Sequence, residues 1–365
     1  MSCVTPDEYT CVISREEVID FCVRCMEKVS VCPSHSKSLA NVLVAGDYRG
    51  HYSHGLNRLE MYVVDIEKGV CVYNKEPVIV KETVSTALVN GENLLGPVVG
   101  NFAMKIAIEK ARSTGIGWVA ANGSNHYGIA GWYSLMAAKE GLIGLSFTNT
   151  SPLVYPTRSK GRAMGTNPLT VAAPSSKPGD EFVLDMATSA VALGKLEMCR
   201  RRGLSIPDGW AADENGKSTD DPAVGINKGA LMPLGGSEHT SGYKGYGLGM
   251  VVELFCGILS GAQYGSNIRQ WMKTERPANL GQGFVAIDPN AFGSGFGERL
   301  SDYMRMMREL PRVDDSEPVL VPGDPERRHM AECDAIGGIP YPPVLIESMA
   351  SLEDVILVQS ILFEK

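Results

Sequence analysis

The feature of this 365-residue chain that most limits its possible folds is the alternation of strand-like and helix-like segments after residue 77. Runs rich in strand-forming residues occur at 78–80, 87–91, 117–121, 144–149, 182–187 and 281–287. Apolar residues recur at helical spacing at 99–114, 129–140, 191–202, 244–260 and 296–310. Residues 205–242 show neither period and are expected to be mostly loop. Because strands separated by helices bury both faces of a sheet, the pattern predicts an α/β fold.

The segment before residue 76 has a helical pattern instead. Residues 14–17 form a capping box, Ser followed three residues later by Glu, which predicts that a helix begins there and ends before Pro33. A second helix is expected shortly after this proline. The tail, 326–365, has helical character near both ends. We therefore predict a smaller helical domain, 1–75, to which the tail returns, and an α/β domain, 76–325.

Residues 47–62 hold two of the six histidines and two arginines. Continued as a helix, this stretch would place five polar side chains along one stripe, at three- and four-residue steps: Asp47, His51, His54, Arg58 and Tyr62. A histidine can carry a proton near neutral pH, and an arginine can hold a carboxylate with two parallel hydrogen bonds. The stripe is either part of a site for a small carbonyl acid or a polar, solvated helix face with a capping Asp.

The charge balance and the cysteines exclude some classes of protein. The formal net charge of −8 argues against a nucleic-acid partner. The longest apolar run, 246–262, is glycine-rich and interrupted by Glu253, so we expect a buried helix and no membrane span. The N-terminus lacks a basic region followed by an apolar one, which is not typical of a secretory signal. Nine cysteines, an odd number, indicate reduced thiols and a cytoplasmic protein.

One cysteine pattern could bind zinc. Cys22 and Cys25 are followed by Cys32 and His35, which together could supply four ligands. The first two, however, lie on the apolar face of the first predicted helix, where cysteine commonly packs as a small hydrophobic residue. The gap between the two pairs is also short for a zinc ribbon. We expect no metal, and keep a zinc-stabilised binding module as a remote alternative.

The common sequence signatures of nucleotide and hydrolase sites are missing. The nearest match to a Gly-x-Gly-x-x-Gly fingerprint begins at Gly115, but it follows a helix and precedes a strand, whereas the fingerprint requires the reverse order. The sequence also lacks a phosphate-binding P-loop and a Gly-x-Ser-x-Gly nucleophile elbow. His51 and His54 are three residues apart, which is not the spacing of a His-Glu-x-x-His zinc site.

A second informative stretch is residues 122–131, which follows one predicted strand and precedes a helix. Ligands bind at the carboxyl ends of strands in open α/β sheets. His126 is therefore a candidate acid/base and Ser124 a candidate donor to an anion, although the same residues could simply cap the helix. Other candidates at predicted strand ends or loops are Thr150, Asn167, Asp185 and Lys244.

Six motifs together resemble one family. They are Arg49-Gly-His-Tyr-Ser-His54-Gly with Arg58, Ser124-Asn-His126-Tyr-Gly, Gly165-Thr-Asn-Pro-Leu, Leu184-Asp-Met-Ala-Thr, Lys244-Gly-Tyr-Gly-Leu and Leu280-Gly-Gln. Their order is that of the type 2 malate/L-lactate dehydrogenases, a family that includes ureidoglycolate, sulfolactate and diketogulonate oxidoreductases. The resemblance spans roughly residues 14 to 345.

This resemblance implies hydride transfer between NAD(P)H and a 2-oxo acid, on a non-Rossmann, mixed-sheet cofactor-binding domain. It also implies a homodimer with the active site between domains and near the subunit interface. Carried over by position, His126 and His54 are the candidate proton carriers, with Asp185 either orienting one of them or contacting the cofactor. Arg58, with Tyr62 and Asn167, would bind the substrate. The cofactor-contacting positions would be Ser124, Thr150, Asp185, Met186, Ala187, Lys244 and Gln282.

The substrate and the cofactor stay open at the level of sequence. Oxaloacetate, reduced to malate, is the first expectation; lactate, ureidoglycolate, sulfolactate or a cyclic imino acid are alternatives. Specificity depends on loop residues that no spacing rule identifies. The cofactor is NAD or NADP, with NAD preferred. Five basic residues could accommodate a 2′-phosphate: Lys160, Arg162, Arg200, Arg201 and Arg202.

Overall fold

The computed structural model describes residues 8–352. Its helices are α1 (Arg15–Lys28), α2 (Pro33–Tyr48), α3 (Leu59–Glu67), α4 (Gly96–Thr114), α5 (Gly131–Lys139), α6 (Leu193–Arg202), α7 (Pro222–Asn227), α8 (Gly242–Glu253), α9 (Phe296–Arg308) and α10 (Asp324–Ile336). Its strands are β1 (Cys11–Ile13), β2 (Val78–Glu82), β3 (Thr86–Asn90), β4 (Ile116–Ser124), β5 (Ile143–Thr148), β6 (Leu169–Ala173), β7 (Phe182–Met186), β8 (Ala211–Ala212), β9 (Ser218–Thr219), β10 (Ala230–Leu231), β11 (Leu280–Ile287) and β12 (Ile339–Tyr341).

The central layer is a seven-stranded sheet of order β2-β3-β4-β11-β5-β6-β7. Only β3 and β4 pair in parallel; the other neighbours are antiparallel. The carboxyl ends of β3, β4, β5 and β7 therefore lie at the same edge as the amino ends of β6 and β11. The expected α/β fold with a mixed sheet is confirmed. The structure also supports the rejection of the Gly-x-Gly-x-x-Gly fingerprint at Gly115. This glycine ends α4 in a left-handed conformation directly before β4, so a helix precedes the motif and a strand follows it.

Helices α1 to α3 pack beside this sheet and share a continuous apolar core with α4, β3 and β4. The predicted capping box is present: the Ser14 hydroxyl accepts from the Glu17 amide, and the Glu17 carboxylate accepts from the Ser14 amide. Near the other end of the chain, β12 pairs antiparallel with β1. The described part of the tail thus returns to the N-terminal segment. The domain boundary at residue 75 stays a prediction, and residues 353–365 of the predicted tail lie outside the described range.

The prediction of one continuous helix through residues 47–62 is wrong. Helix α2 ends at Tyr48, two short 3₁₀ turns follow (Tyr52–His54 and Leu56–Arg58), and α3 begins at Leu59. The break occurs because Gly50 takes a left-handed φ of 83°, a conformation that ends helices, and because the Asp47 carboxylate accepts from the Leu56 amide at 2.8 Å.

Residues 205–242 are mostly loop, as expected, but they also contain short elements that the sequence did not indicate. The segment contains α7 and a small three-stranded sheet of order β10-β8-β9. Its strands are two residues long, too short to produce a periodic signal in the sequence.

Two other expectations concern metal and membrane. Cys22 and Cys25 are buried in the apolar core, and His35 Nε2 lies 3.2 Å from Glu76 Oε1. Within residues 8–352 no group of three or more His, Cys, Asp or Glu side chains could hold a metal ion. The zinc-module alternative therefore gains no support from these residues. Among the same residues, no helix is both long enough and apolar enough to cross a membrane.

Candidate active site

The site is built at one edge of the central sheet. Ser124 ends β4 opposite Leu280, Gln282 lies opposite Thr148 at the end of β5, and Met186 ends β7 opposite Leu169. This register brings together candidates that are far apart in sequence: Ser124, His126, Thr150, Asn167, Asp185, Met186, Ala187 and Gln282. Lys244 lies in the first turn of α8 and is exposed.

His54 is positioned by the broken segment after α2. Asp47 is buried, and its carboxylate accepts from the Leu56 amide at 2.8 Å and from the Tyr341 hydroxyl at 2.9 Å. A Cβ on Gly55 would lie only 1.7 Å from the Asp47 carboxylate, so only glycine fits beside His54 here. Burial raises the pKa of Asp47 to about 7. This carboxylate thus fixes the 3₁₀ turns that carry His54 and Arg58.

His126 lies against His54. The two imidazoles stack at 5.6 Å between centroids and 19° between planes. His126 Nδ1 lies 2.5 Å from the Tyr62 hydroxyl and 3.4 Å from the Gly128 amide nitrogen. The Tyr62 hydroxyl can donate to Nδ1 or accept from it, and in either case these contacts leave Nε2 as the ring nitrogen that can face a ligand. The Tyr62 hydroxyl thus contacts His126, and its expected contact with the substrate stays a prediction.

Arg58 completes a group that we call the substrate cluster: His54, Arg58, Tyr62 and His126. Its Nε donates to the Ser53 carbonyl at 2.6 Å, and its guanidinium lies 5.5 Å from the centre of the Trp271 ring. Burial, reinforced by the positive charge of Arg58, lowers the pKa of His54 to about 3. Burial, with His54 and Arg58 nearby, also lowers the pKa of His126 well below its usual range.

The substrate cluster therefore contains a partly buried arginine beside two imidazoles that are neutral in the free protein at pH 7. Nearby positive charge and a lack of water both disfavour a histidinium here. A carboxylate bound to Arg58 would reverse part of this effect, because an adjacent negative charge favours the protonated ring. The arrangement suits a small anion that exchanges a proton with an imidazole.

Two predicted cofactor residues have polar atoms without a partner. Ser124 and Gln282 are fully buried, and neither Ser124 Oγ nor Gln282 Oε1 makes a hydrogen bond. The other end of the Gln282 amide donates to the Asn125 carbonyl at 3.1 Å, which fixes the orientation of that side chain. Buried polar atoms are normally paired, so a hydroxyl and an amide oxygen left open at this edge fit the carboxamide of a nicotinamide ring.

Asn167 lies in a second buried group, the amide cluster of Asn149, Asn167 and Glu253. The Glu253 carboxylate accepts from the Asn149 and Asn167 amides, each at 3.0 Å. Asn167 Oδ1 in turn accepts from the Thr150 amide at 3.0 Å. The Asn167 amide thus holds the loop of Thr150, and its expected contact with the substrate stays a prediction. Burial raises the pKa of Glu253 despite these donors.

Asp185 lies away from both histidine side chains of the substrate cluster. Its Oδ2 accepts from the Gly131 amide at 2.8 Å, near the start of α5. Burial raises its pKa, while the charges of His51 and Arg49 oppose that rise. It hydrogen-bonds neither His54 nor His126, so orientation of the imidazole falls to Tyr62. His51 itself faces Glu326, 3.6 Å away.

Four residues in or beside the site were not predicted from the sequence. Trp271 approaches His126 as well as Arg58, with 5.7 Å between the His126 and Trp271 ring centroids. Asp65 and Arg269 form a buried ion pair at 2.9 Å beside Asn125. Trp271 has no motif around it, and the ion pair joins residues 204 positions apart. Glu253 was visible only as a charge interrupting an apolar run.

Comparison with known proteins shows the family to which this chain belongs. The family model described as malate/L-lactate dehydrogenase matches residues 13–350. The chain belongs to the malate/L-lactate dehydrogenase family. It is 42% identical over 321 residues to a malate dehydrogenase of Pyrococcus abyssi, covering 87% of this chain and 88% of that protein. It is 37% identical to the malate/(S)-sulfolactate dehydrogenase of Methanothermus fervidus, covering 94% and 97% of the two chains.

The fold is shared with solved members of the family. The structure of malate dehydrogenase from Pyrococcus horikoshii superposes with a TM-score of 0.89 at 36% identity, covering 98% of this chain and 99% of that one. The family expected from the six motifs is therefore confirmed, as is its class, oxidoreductases that act on a CH–OH group. Membership of a dehydrogenase family implies a nicotinamide cofactor and a small hydroxy or oxo acid as substrate.

Proposed function

We propose that this protein is a malate dehydrogenase that interconverts oxaloacetate and malate. The observation that carries the proposal is the substrate cluster, in which a partly buried arginine lies beside two neutral, stacked imidazoles at one edge of the sheet. A dicarboxylic 2-oxo acid supplies a carboxylate that can pair with this partly desolvated arginine. The similarity to malate dehydrogenases over most of both chains supports the same substrate.

In this proposal, the Arg58 guanidinium binds the carboxylate next to the reacting carbon. His126 exchanges the substrate proton at Nε2, while Nδ1 carries the proton of the neutral ring and donates to the Tyr62 oxygen. His54 stacks on this ring and is the second candidate, with its own Nδ1 2.8 Å from the Ser53 hydroxyl. In malate oxidation a neutral imidazole accepts the hydroxyl proton, and the lowered pKa values keep both rings in this neutral form before the substrate binds.

Ser124 and Gln282 would hold the nicotinamide carboxamide, and Thr150, Met186 and Ala187 would lie beside the cofactor at the same edge. The bound nicotinamide supplies or accepts the hydride. The chain's own residues keep water out, since the Ser124 and Gln282 side chains are fully buried. Lys244, exposed in the first turn of α8, is available for the charged part of the cofactor.

We propose NAD as the preferred cofactor. Two of the basic residues that could have accepted a 2′-phosphate are already engaged. Arg162 donates to the backbone carbonyls of Ile226 and Gly229, and Arg202 pairs with Glu8. An arginine bound in this way would have to exchange its partners for the phosphate, which lowers the gain from binding NADP.

A homodimer is part of the same proposal, and α8 with its extension offers a surface for it. Tyr243, Met250, Leu254 and Ile258 lie along one stripe, and each is between 49% and 53% exposed. An exposed apolar stripe of this kind is typical of subunit interfaces.

The eight described cysteines are free, which supports the predicted cytoplasmic location.

The proposal is tested by measuring initial rates with NADH and NADPH against a panel of 2-oxo acids. The panel contains oxaloacetate, pyruvate, 3-sulfopyruvate and a cyclic imino acid, and ureidoglycolate is tested with NAD in the oxidative direction. We expect the highest kcat/KM for oxaloacetate with NADH. A higher value for 3-sulfopyruvate or for the imino acid would contradict malate as the substrate. No turnover with any member of the panel would contradict the proposed function itself.

A further inference from the structure

Trp271 lies on the segment between α8 and β11 and is partly buried. Its ring packs against the apolar core of the chain on one side. It also approaches two members of the substrate cluster. The Arg58 guanidinium carbon is 5.5 Å from the ring centre, and the His126 ring is 5.7 Å away at an interplanar angle of 57°. One aromatic ring thus borders both the arginine and the imidazole.

The backbone that carries this ring is tied to the His126 loop by a buried network. Arg269, two residues earlier, donates to both carboxylate oxygens of Asp65, at 2.9 and 3.3 Å. Asp65 also accepts from the Asn125 amide at 2.9 Å, and Asn125 Oδ1 accepts from the His126 backbone amide at 2.8 Å. Since Asp65 and Arg269 are both buried, the indole is held in a fixed place relative to His126.

We propose that Trp271 is the specificity-determining wall of the substrate site, admitting 2-oxo acids with a small or charged C3 substituent and rejecting those with a bulky one. This inference rests on the proposed function. With its carboxylate on Arg58 and its carbonyl oxygen towards His126, a 2-oxo acid directs its C3 group into the space that the indole borders. The ring face also attracts the Arg58 guanidinium and keeps it in place for the carboxylate.

The test compares Trp271→Leu and Trp271→Phe with wild type on oxaloacetate and on 4-methyl-2-oxopentanoate, which has a branched C3 substituent. We expect Trp271→Leu to raise the ratio of kcat/KM for the branched acid over that for oxaloacetate by about tenfold or more, since space for one or two carbon atoms changes specificity by that order. Trp271→Phe keeps an aromatic face and opens less space, so a rise of roughly threefold is expected.

Trp210 offers a matched control, because Lys195 Nζ lies 5.8 Å from its ring centre, the same kind of contact remote in sequence from the cluster. Trp210→Leu should leave the ratio unchanged.

The second readout is binding of oxalate, which has carboxylates and no C3 group. Its Kd should rise about three- to tenfold in Trp271→Leu and return towards wild type in Trp271→Phe, because only the leucine loses the cation–π contact.

The outcomes separate the inference from the function on which it rests. A wild type that reduces none of the acids overturns the proposed function. If the wild type reduces oxaloacetate and Trp271→Leu leaves the ratio of kcat/KM for the branched acid over oxaloacetate unchanged, Trp271 is not the wall of the substrate site. If Trp271→Leu does not fold, an unchanged ratio in Trp271→Phe would overturn the wall as well. A rise of the ratio in Trp210→Leu equal to that in Trp271→Phe would also overturn it.

Discussion

Two buried polar groups near the same sheet edge differ in how completely their bonds are satisfied. In the amide cluster, the Glu253 carboxylate and the Asn149 and Asn167 amides bind one another and nearby backbone. In the substrate cluster, the imidazoles stack, and each uses only Nδ1 in the hydrogen bonds described above. The amide cluster satisfies its hydrogen bonds without a ligand, whereas the substrate cluster has ring nitrogens that can still bond to one.

The difference shows where this chain gives up stability for function. Arg58 and the two histidines are partly buried side by side, and burial together with the positive charge of Arg58 lowers both imidazole pKa values, so the empty protein loses stability as the pH falls below the usual histidine pKa. Groups of this kind persist where a ligand compensates for them. The amide cluster serves the opposite purpose, since it fixes the Thr150 loop without any outside partner. Substitutions in the substrate cluster should therefore change kcat or KM, and substitutions in the amide cluster should change the free energy of unfolding.

The largest effect is expected for His126→Asn, which removes the ring nitrogen that exchanges the proton. We predict that kcat for oxaloacetate falls by about 10²–10⁴-fold, the usual contribution of a positioned acid/base, and that the free energy of unfolding does not fall. The same substitution at the exposed His239 serves as the control. His54→Asn identifies which imidazole carries the proton, because the larger fall in kcat marks that residue. A kcat within threefold of wild type in both variants would contradict the proposed role of the pair.

The next largest effect is expected for Arg58→Ala. Loss of the carboxylate partner should raise KM for oxaloacetate by roughly 10²-fold, the usual result of removing one side of a buried charged pair. The KM of Arg58→Lys should lie between those of wild type and Arg58→Ala, since lysine keeps the charge and loses the two parallel hydrogen bonds of the guanidinium. The exposed Arg305 on α9 gives a matched Arg→Ala control with unchanged kinetics. Unchanged KM in Arg58→Ala would mean that another residue binds the carboxylate.

How much of this could be predicted from sequence depends on whether the determinant is local. Helix α1 was predicted from a capping box four residues long, and the sheet-edge position of His126 from the strand before it. The break in residues 47–62 also had a local signal, the glycine at position 50 that follows the end of α2. The helical spacing of the polar residues was wrongly given more weight.

The remaining features depend on contacts between distant parts of the chain. The position of the His54 loop depends on Asp47, which is bonded to Tyr341 almost 300 residues away in the chain. The Trp271 wall depends on the bond between Arg269 and Asp65. Neither pair has a spacing that could be recognised, because residues joined only by the fold leave no period in the sequence. The roles implied by the family resemblance likewise did not include the hydrogen bond between Tyr62 and His126.

Asn167→Ala tests the amide cluster and should affect stability more than substrate binding. It removes donors to Glu253 and to the Gly249 carbonyl and the acceptor of the Thr150 amide. We expect the free energy of unfolding to fall by about 2–4 kcal/mol, since a buried carboxylate is left with fewer donors. KM for oxaloacetate should stay within about threefold. Asn267→Ala, at an exposed position, is the control. Unchanged stability with a KM raised tenfold would instead support direct substrate contact by Asn167.

The smallest effect expected is proton uptake when an anion binds to the substrate cluster. Burial and Arg58 lower the pKa of His54 to about 3 and that of His126 well below its usual range, so both rings are neutral at pH 7.5. A bound dianion favours the protonated ring and raises these pKa values, so binding takes up a measurable fraction of a proton, at most about one. Affinity for oxalate should therefore decrease as the pH rises from 6 to 9, by at most about tenfold per pH unit. Calorimetry in buffers of different ionisation enthalpy measures the uptake directly. It should be smaller in His126→Asn, and proton release, or an affinity independent of pH, would show that neither imidazole responds to the bound anion.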